Sequence, residues 1–145
     1  MILYLDTSAL VKRYVAEPGT QEVIALVEQA EMVGSVALTL VEMASALAKA
    51  VRLNWLEYEE AQRAWQDFLS HWPAFVRLSV TPEILERAAT LAWRYSLRGY
   101  DATHLAGALF WQEALGEPLV MATFDRRLWK TAQASGLNLW PETLL

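Results

Sequence analysis

The chain has 145 residues, of which 54% are hydrophobic and 20% charged, and its net charge is −5. This length and composition suit one packed domain over residues 1–145 and exclude disordered and fibrous classes. With no cysteine there is no disulfide framework, no thiolate zinc site and no Cys nucleophile, and the acidic balance excludes a protein that coats nucleic acid through a basic surface. Any nucleic-acid role is therefore local to one site. The apolar runs are short and the N-terminus lacks the basic and long hydrophobic segments of a secretory signal, so a cytoplasmic protein without membrane contact is expected.

In chain order, ILYL (2–5) reads as a strand that gives way at Asp6 to a helix. QEVIALVEQA (21–30) has apolar residues at helical spacing, and a run around VGSVAL (33–38) reads as the second strand. Helical patterns follow in VEMASALAKAV (41–51) and YEEAQRAWQDFLSHW (58–72). FVRLSV (75–80) is the third strand, followed by the helical segments PEILERAATLAWRYSL (82–97) and ATHLAGALFWQEAL (102–115). PLVMAT (118–123), the helical RRLWKTAQA (126–134) and LNLW (137–140) complete the pattern. Strands alternating with helices predict an α/β fold: a mostly parallel five-stranded sheet flanked by helices, with the ligand site beyond the carboxyl ends of the strands.

The acids are distributed accordingly. Asp6 follows the first strand, Glu42 lies one helical turn beyond the second, Asp125 follows the fourth, and Asp101 opens a helix just after Gly99. Taken singly, each is explained by helix capping or by the helix dipole, and Thr39 with Glu42 has capping-box spacing. The third strand supplies a comparison, because it ends in VTPEIL, where Thr81 caps and Pro82 takes the first helical position without any acid. Capping alone leaves the acids at the other strand ends unexplained. Carboxylates converging at one sheet edge repel and raise a pKa unless a cation lies among them. The absence of cysteine and the presence of only two His favour a hard cation, Mg²⁺ or Mn²⁺, and hence phosphoryl chemistry.

Thr7, Ser8 and Thr123 place hydroxyls beside these acids. Lys12, Arg13, Arg98, Arg126 and Arg127 lie within a turn or two of them, where a phosphate contact competes with simple solvation; Arg98, Arg126 and Arg127 are the candidate phosphate contacts. His104, three residues after Asp101, shares its helix face, but a packed histidine is the commoner explanation and it is left out of the ligand set. The stripe Trp65, Phe68, Leu69, Trp72 is expected to cover the sheet or line an interhelical groove, with part of it and Trp55 available to a protein partner.

Four segments in this order, YLDTSALVK, TLVEMASALAKA, LRGYDATHLAGAL and MATFDRRLWKTA, resemble the PIN-domain nucleases, and in particular the VapC-type toxins of toxin–antitoxin pairs. The resemblance covers essentially the whole chain. It implies a three-layer PIN-like fold and a Mg²⁺- or Mn²⁺-dependent endoribonuclease whose acidic pocket is formed by Asp6, Glu42, Asp101 and Asp125. Asp6, Asp101 and Asp125 are then the metal ligands, Glu42 assists proton removal from water, and Thr7 and Thr123 match positions that often carry a hydroxyl. An RNA substrate, a small antitoxin partner and a homodimer are implied as well. Two alternatives stand beside this: a non-catalytic PIN-fold module that binds RNA or protein, and another Mg²⁺-dependent phosphohydrolase. The second fits less well, since a haloacid-dehalogenase-like phosphatase wants an acid where Ser8 stands and a receiver domain wants paired acids after its first strand.

Overall fold

The computed structural model describes residues 1–144. Its centre is β1 (Ile2–Leu5), whose four residues are all buried, as expected of a strand covered on both faces by helices. β1 pairs in parallel with β2 (Met32–Val36) on one side and β4 (Val120–Ala122) on the other; β3 (Val76–Leu78) and β5 (Asn138–Trp140) complete the sheet at its edges, giving the order β3-β2-β1-β4-β5. All five expected strands are present and every pairing is parallel. The observed ladders stop short of the apolar runs, most clearly after Val36, where the chain turns directly into a helix.

Alternation along β1 divides the core into two. Ile2 and Tyr4 face one layer, with Leu105, Met121 and Leu128, while Leu3 and Leu5 face the other, with Leu10, Met43 and Phe68. The first layer is built by α5 (Pro82–Tyr95), α6 (Gly99–Leu115) and α7 (Arg126–Ala134). The second contains α1 (Thr7–Tyr14), α2 (Thr20–Gln29), α3 (Thr39–Arg52) and α4 (Tyr58–His71), followed by a 3₁₀ turn at Trp72–Ala74. The result is the expected three layers. Phe68 and Trp72 of the aromatic stripe enter the core, while Trp65 lines an apolar groove between α3 and α4 and Trp55 is exposed. No described helix is long and apolar enough to cross a membrane.

Two local expectations separate here. Thr81 caps α5 through Ile84 N–H, with Pro82 opening the helix as its missing donor allows. The Thr39–Glu42 capping box does not form. Leu38, not Thr39, precedes the first helical residue; Thr39 is buried with its hydroxyl 2.7 Å from Ser35 Oγ, and the Glu42 carboxylate turns to the sheet edge, where side-chain donors meet it.

α6 is buried along most of its length and lies close against β2. Gly107 permits that approach, because a Cβ there would collide with Val36 Cγ1. This close packing carries Asp101 and His104, in the first turns of α6, to the carboxyl edge of the sheet.

Candidate active site

Successive helices change faces between β1 and β4, since α1 packs on one core and α7 on the other. That junction is a topological switch point, and a cleft opens beyond the carboxyl ends of its strands. A cavity of about 90 Å³ lies there, lined by Asp6, Thr7, Ser8, Glu42, Arg98, Tyr100, Asp101, His104 and Asp125. All four predicted acids are among its walls. They arrive from β1, α3, α6 and the end of β4, so only the tertiary fold brings them together.

Asp6 is 3% exposed and heavily engaged. Its Oδ1 accepts the Ala9 N–H at 2.9 Å and the Ser8 hydroxyl at 2.7 Å, and its Oδ2 accepts the Thr123 hydroxyl at 2.6 Å. Burial pushes its carboxyl above the usual range, against the pull of His104 and of these three donors. Asp125 likewise caps α7, accepting the Leu128 N–H at Oδ1, and gives its other oxygen to Arg98 Nη2 at 2.7 Å. The choice between cap and site residue is thus not exclusive: one carboxylate oxygen caps the helix while the residue lines the cavity.

Arg98 also donates through Nε to Asp101 Oδ2 at 2.9 Å, so one guanidinium joins two acids of the site. Asp101 is raised chiefly by burial; Arg98 opposes this, and the charges of Asp125 and Asp6 add to the rise. Mutual repulsion, the cause expected from the sequence, contributes at Asp101 but ranks below desolvation. Glu42 behaves differently. Burial pushes its carboxyl up, but the hydrogen bond from His104, the charge that ring carries when protonated, and the Thr7 hydroxyl outweigh it, and the group ends below its ordinary value.

His104, which sequence reasoning left out, belongs to this site. It is 1% exposed, with Nε2 2.6 Å from Glu42 Oε1 and Nδ1 2.8 Å from the hydroxyl of buried Tyr4. Its only sequence signal was the three-residue spacing from Asp101. Of the basic candidates, Arg98 alone lines the cavity. Arg127 donates to Ser96 O, Arg126 is exposed, Lys12 is held by Pro18 O and Glu17, and Arg13 reaches Tyr14.

Apart from His104, whose ring nitrogens are taken up by Glu42 and Tyr4, the cavity's ligand-capable groups are carboxylates and hydroxyls, which suit a hard divalent cation. Among the described residues no three His, Asp or Glu side chains stand close enough to share one ion, and Arg98 supplies positive charge to two of the acids instead. Larger grooves exist elsewhere, but the one between α3 and α4, about 460 Å³, contains no carboxylate or amine.

Comparison with known proteins bears on the family and the fold. Ribonuclease VapC45 of Mycobacterium tuberculosis is similar to this chain at 38% identity over 147 residues, covering 99% of this chain and 97% of the relative. The solved structure of FitAB bound to an IR36 DNA fragment superposes with a TM-score of 0.72 at 18% identity, covering 99% of this chain and 98% of that one. A toxin–antitoxin complex from Klebsiella pneumoniae superposes with a TM-score of 0.61 at 16% identity over 100% of both chains; at such identities the likeness concerns the fold. The PIN domain model matches residues 3–134, and with that match the chain belongs to the PIN domain family.

Proposed function

We propose that this protein is a divalent-metal-dependent endoribonuclease, acting as a single PIN domain and as the toxin of a toxin–antitoxin pair. The observation that carries the reading is the convergence of Asp6, Glu42, Asp101 and Asp125 on one cavity at the β1–β4 switch point. The 38% identity to a ribonuclease VapC over nearly the full length supports the choice of RNA. The antitoxin partner rests on the likeness to toxin–antitoxin complexes.

In this reading Asp6, Asp101 and Asp125 hold Mg²⁺ or Mn²⁺, which supplies Lewis-acid stabilisation of phosphoryl oxygens and a water of lowered pKa. Thr123, Ser8 and the Ala9 N–H fix the Asp6 carboxylate, so that it meets the cation without reorganising. Glu42, kept ionised by its donors, accepts the proton of the attacking water. Thr7 holds Glu42 in place at 2.8 Å. Arg98, more than half exposed, exchanges its carboxylate partners for the phosphate backbone as RNA enters, and the exposed Arg126 and Arg127, which follow Asp125 in the chain, are further candidate phosphate contacts. The protein works in the cytoplasm as a homodimer.

One observation favours a non-catalytic binding module instead: Arg98 already pairs with both Asp101 and Asp125. The two readings separate in one experiment. Partner-free protein and Asp6→Asn are incubated with labelled single-stranded RNA and a matched DNA, with Mg²⁺, with Mn²⁺ or with EDTA. Metal-dependent cleavage of RNA alone, lost in Asp6→Asn, is the expected result. RNA binding without cleavage under every metal condition assigns the module, and cleavage surviving in EDTA or in Asp6→Asn removes the metal mechanism.

A further inference from the structure

The ribonuclease mechanism uses Glu42 and lets Thr7 hold it, but gives no part to the second donor on the same oxygen, His104. Glu42 lies in the first turn of α3 and is half-buried, with a long side chain that has several rotamers open to it. Two donors converge on its Oε1, the Thr7 hydroxyl at 2.8 Å and His104 Nε2 at 2.6 Å, while Oε2 accepts no hydrogen bond among the described residues. An ionised carboxylate can only accept, so Nε2 carries the hydrogen. The other ring nitrogen lies 2.8 Å from the Tyr4 hydroxyl, which itself accepts the Val36 N–H at 3.3 Å and is therefore free to donate to Nδ1. The result is a directional chain, Val36 N–H to Tyr4 O–H to His104 and His104 N–H to Glu42, with the Thr7 hydroxyl a second and more distant neighbour of Nε2 at 3.5 Å.

Tyr4 is 0% exposed and His104 1%, their rings packed edge to face, so neither can re-orient without disturbing the core. This arrangement matches the way a buried acceptor or donor behind a histidine sets the tautomer and orientation of the group it serves. We infer that His104 is a positioning residue: anchored through Nδ1 by Tyr4, it ties Glu42 Oε1 through Nε2 so that the second carboxylate oxygen is left to the acidic cavity. The inference rests on the ribonuclease reading for its consequence in catalysis, but the tie itself is a property of the folded chain.

Two measurements test it. In ¹⁵N-labelled wild-type protein, His104 is expected to show a protonated Nε2 and an unprotonated Nδ1, with the Nε2 proton far downfield and moving upfield in Glu42→Gln. A protonated Nδ1 with bare Nε2, or a signal indifferent to Glu42→Gln, overturns the tie. On an RNA that the wild type cleaves, His104→Leu is expected to lower kcat about 10- to 100-fold with KM little changed. His104→Gln, whose amide nitrogen offers a donor near the place of Nε2, restores most of the rate. If both variants unfold like the wild type and lose activity equally, or if His104→Leu keeps full kcat, the positioning role is wrong. Should His104→Leu fail to fold, the spectrum and the Gln variant decide. If the wild type cleaves no RNA, the ribonuclease reading fails and the spectrum alone still accepts or rejects the tie.

Discussion

Thr123 donates its hydroxyl to Asp6 Oδ2 at 2.6 Å, joining the carboxyl ends of β1 and β4 at the point where the sheet changes its direction of winding. The bond holds a buried acid that is unfavourable to ionise, and stability and activity are therefore opposed at this position. Because the folded pKa lies above the ordinary 3.8, folding stability contributed by Asp6 declines as pH rises from that value through the folded one, and stays lowered above both. Asp6→Asn, which keeps an oxygen for the Ala9 cap, is expected to abolish cleavage while raising Tm at pH 7 by a few degrees. Thermal unfolding beside an RNA cleavage assay measures both.

If the acids hold a cation, the folded state alone binds it. Mg²⁺ or Mn²⁺ at a hundredfold excess over Kd then stabilises the wild type by about 2.7 kcal/mol. For a chain of this size that corresponds to roughly 5–10 °C in Tm. Asp6→Asn is expected to lose most of this shift, and EDTA to reverse it. A shift of equal size in wild type and variant places the cation elsewhere.

Glu42 gives the opposite pH dependence. Its carboxyl lies below the ordinary 4.5, so its contribution to stability is present above that value and disappears as pH falls through the lower folded value. The acid side of a Tm-against-pH profile is expected to be flatter in Glu42→Gln than in the wild type.

Arg98 lowers the Asp101 carboxyl against the dominant effect of burial. Arg98→Met is expected to move the Asp101 titration further upward in carboxyl ¹³C NMR, with the difference from wild type shrinking in high salt because the arginine is largely exposed. Stability should change little, as for other exposed ion pairs.

At Gly107 the ordinary sign of a helix substitution reverses. Alanine in a helix is worth about 1 kcal/mol over glycine. Here its Cβ would strike Val36 Cγ1, in a core where extra atoms are destabilising by about 1–3 kcal/mol. Gly107→Ala is therefore expected to lower the urea midpoint and, by moving α6 away from Tyr4, to weaken the His104 contact.

Much of this was legible locally. ILYL declares a doubly covered strand because both its faces are apolar, and the alternation of such strands with helices is sufficient for a parallel sheet. The site's location followed from that sheet, since ligand clefts open beyond strand carboxyl ends, and each of the four acids stood at the beginning of a helical pattern. Thr81 with Pro82 was readable for the same reason: a cap is made within four residues.

What required the tertiary structure were relations between distant residues and the solvent each group loses. Whether Thr39 and Glu42 cap a helix or serve the site depended on donors that reach Glu42 from Thr7 and His104, and spacing carries no information about those. Tyr4 and His104 are 100 positions apart, and as sequence each is an ordinary core residue. Burial, more than charge repulsion, raises Asp6 and Asp101, and burial is a property of the folded chain. Chain-local chemistry thus determined which acids face the cleft; long-range packing decided which of them are held, by what, and in which state of charge.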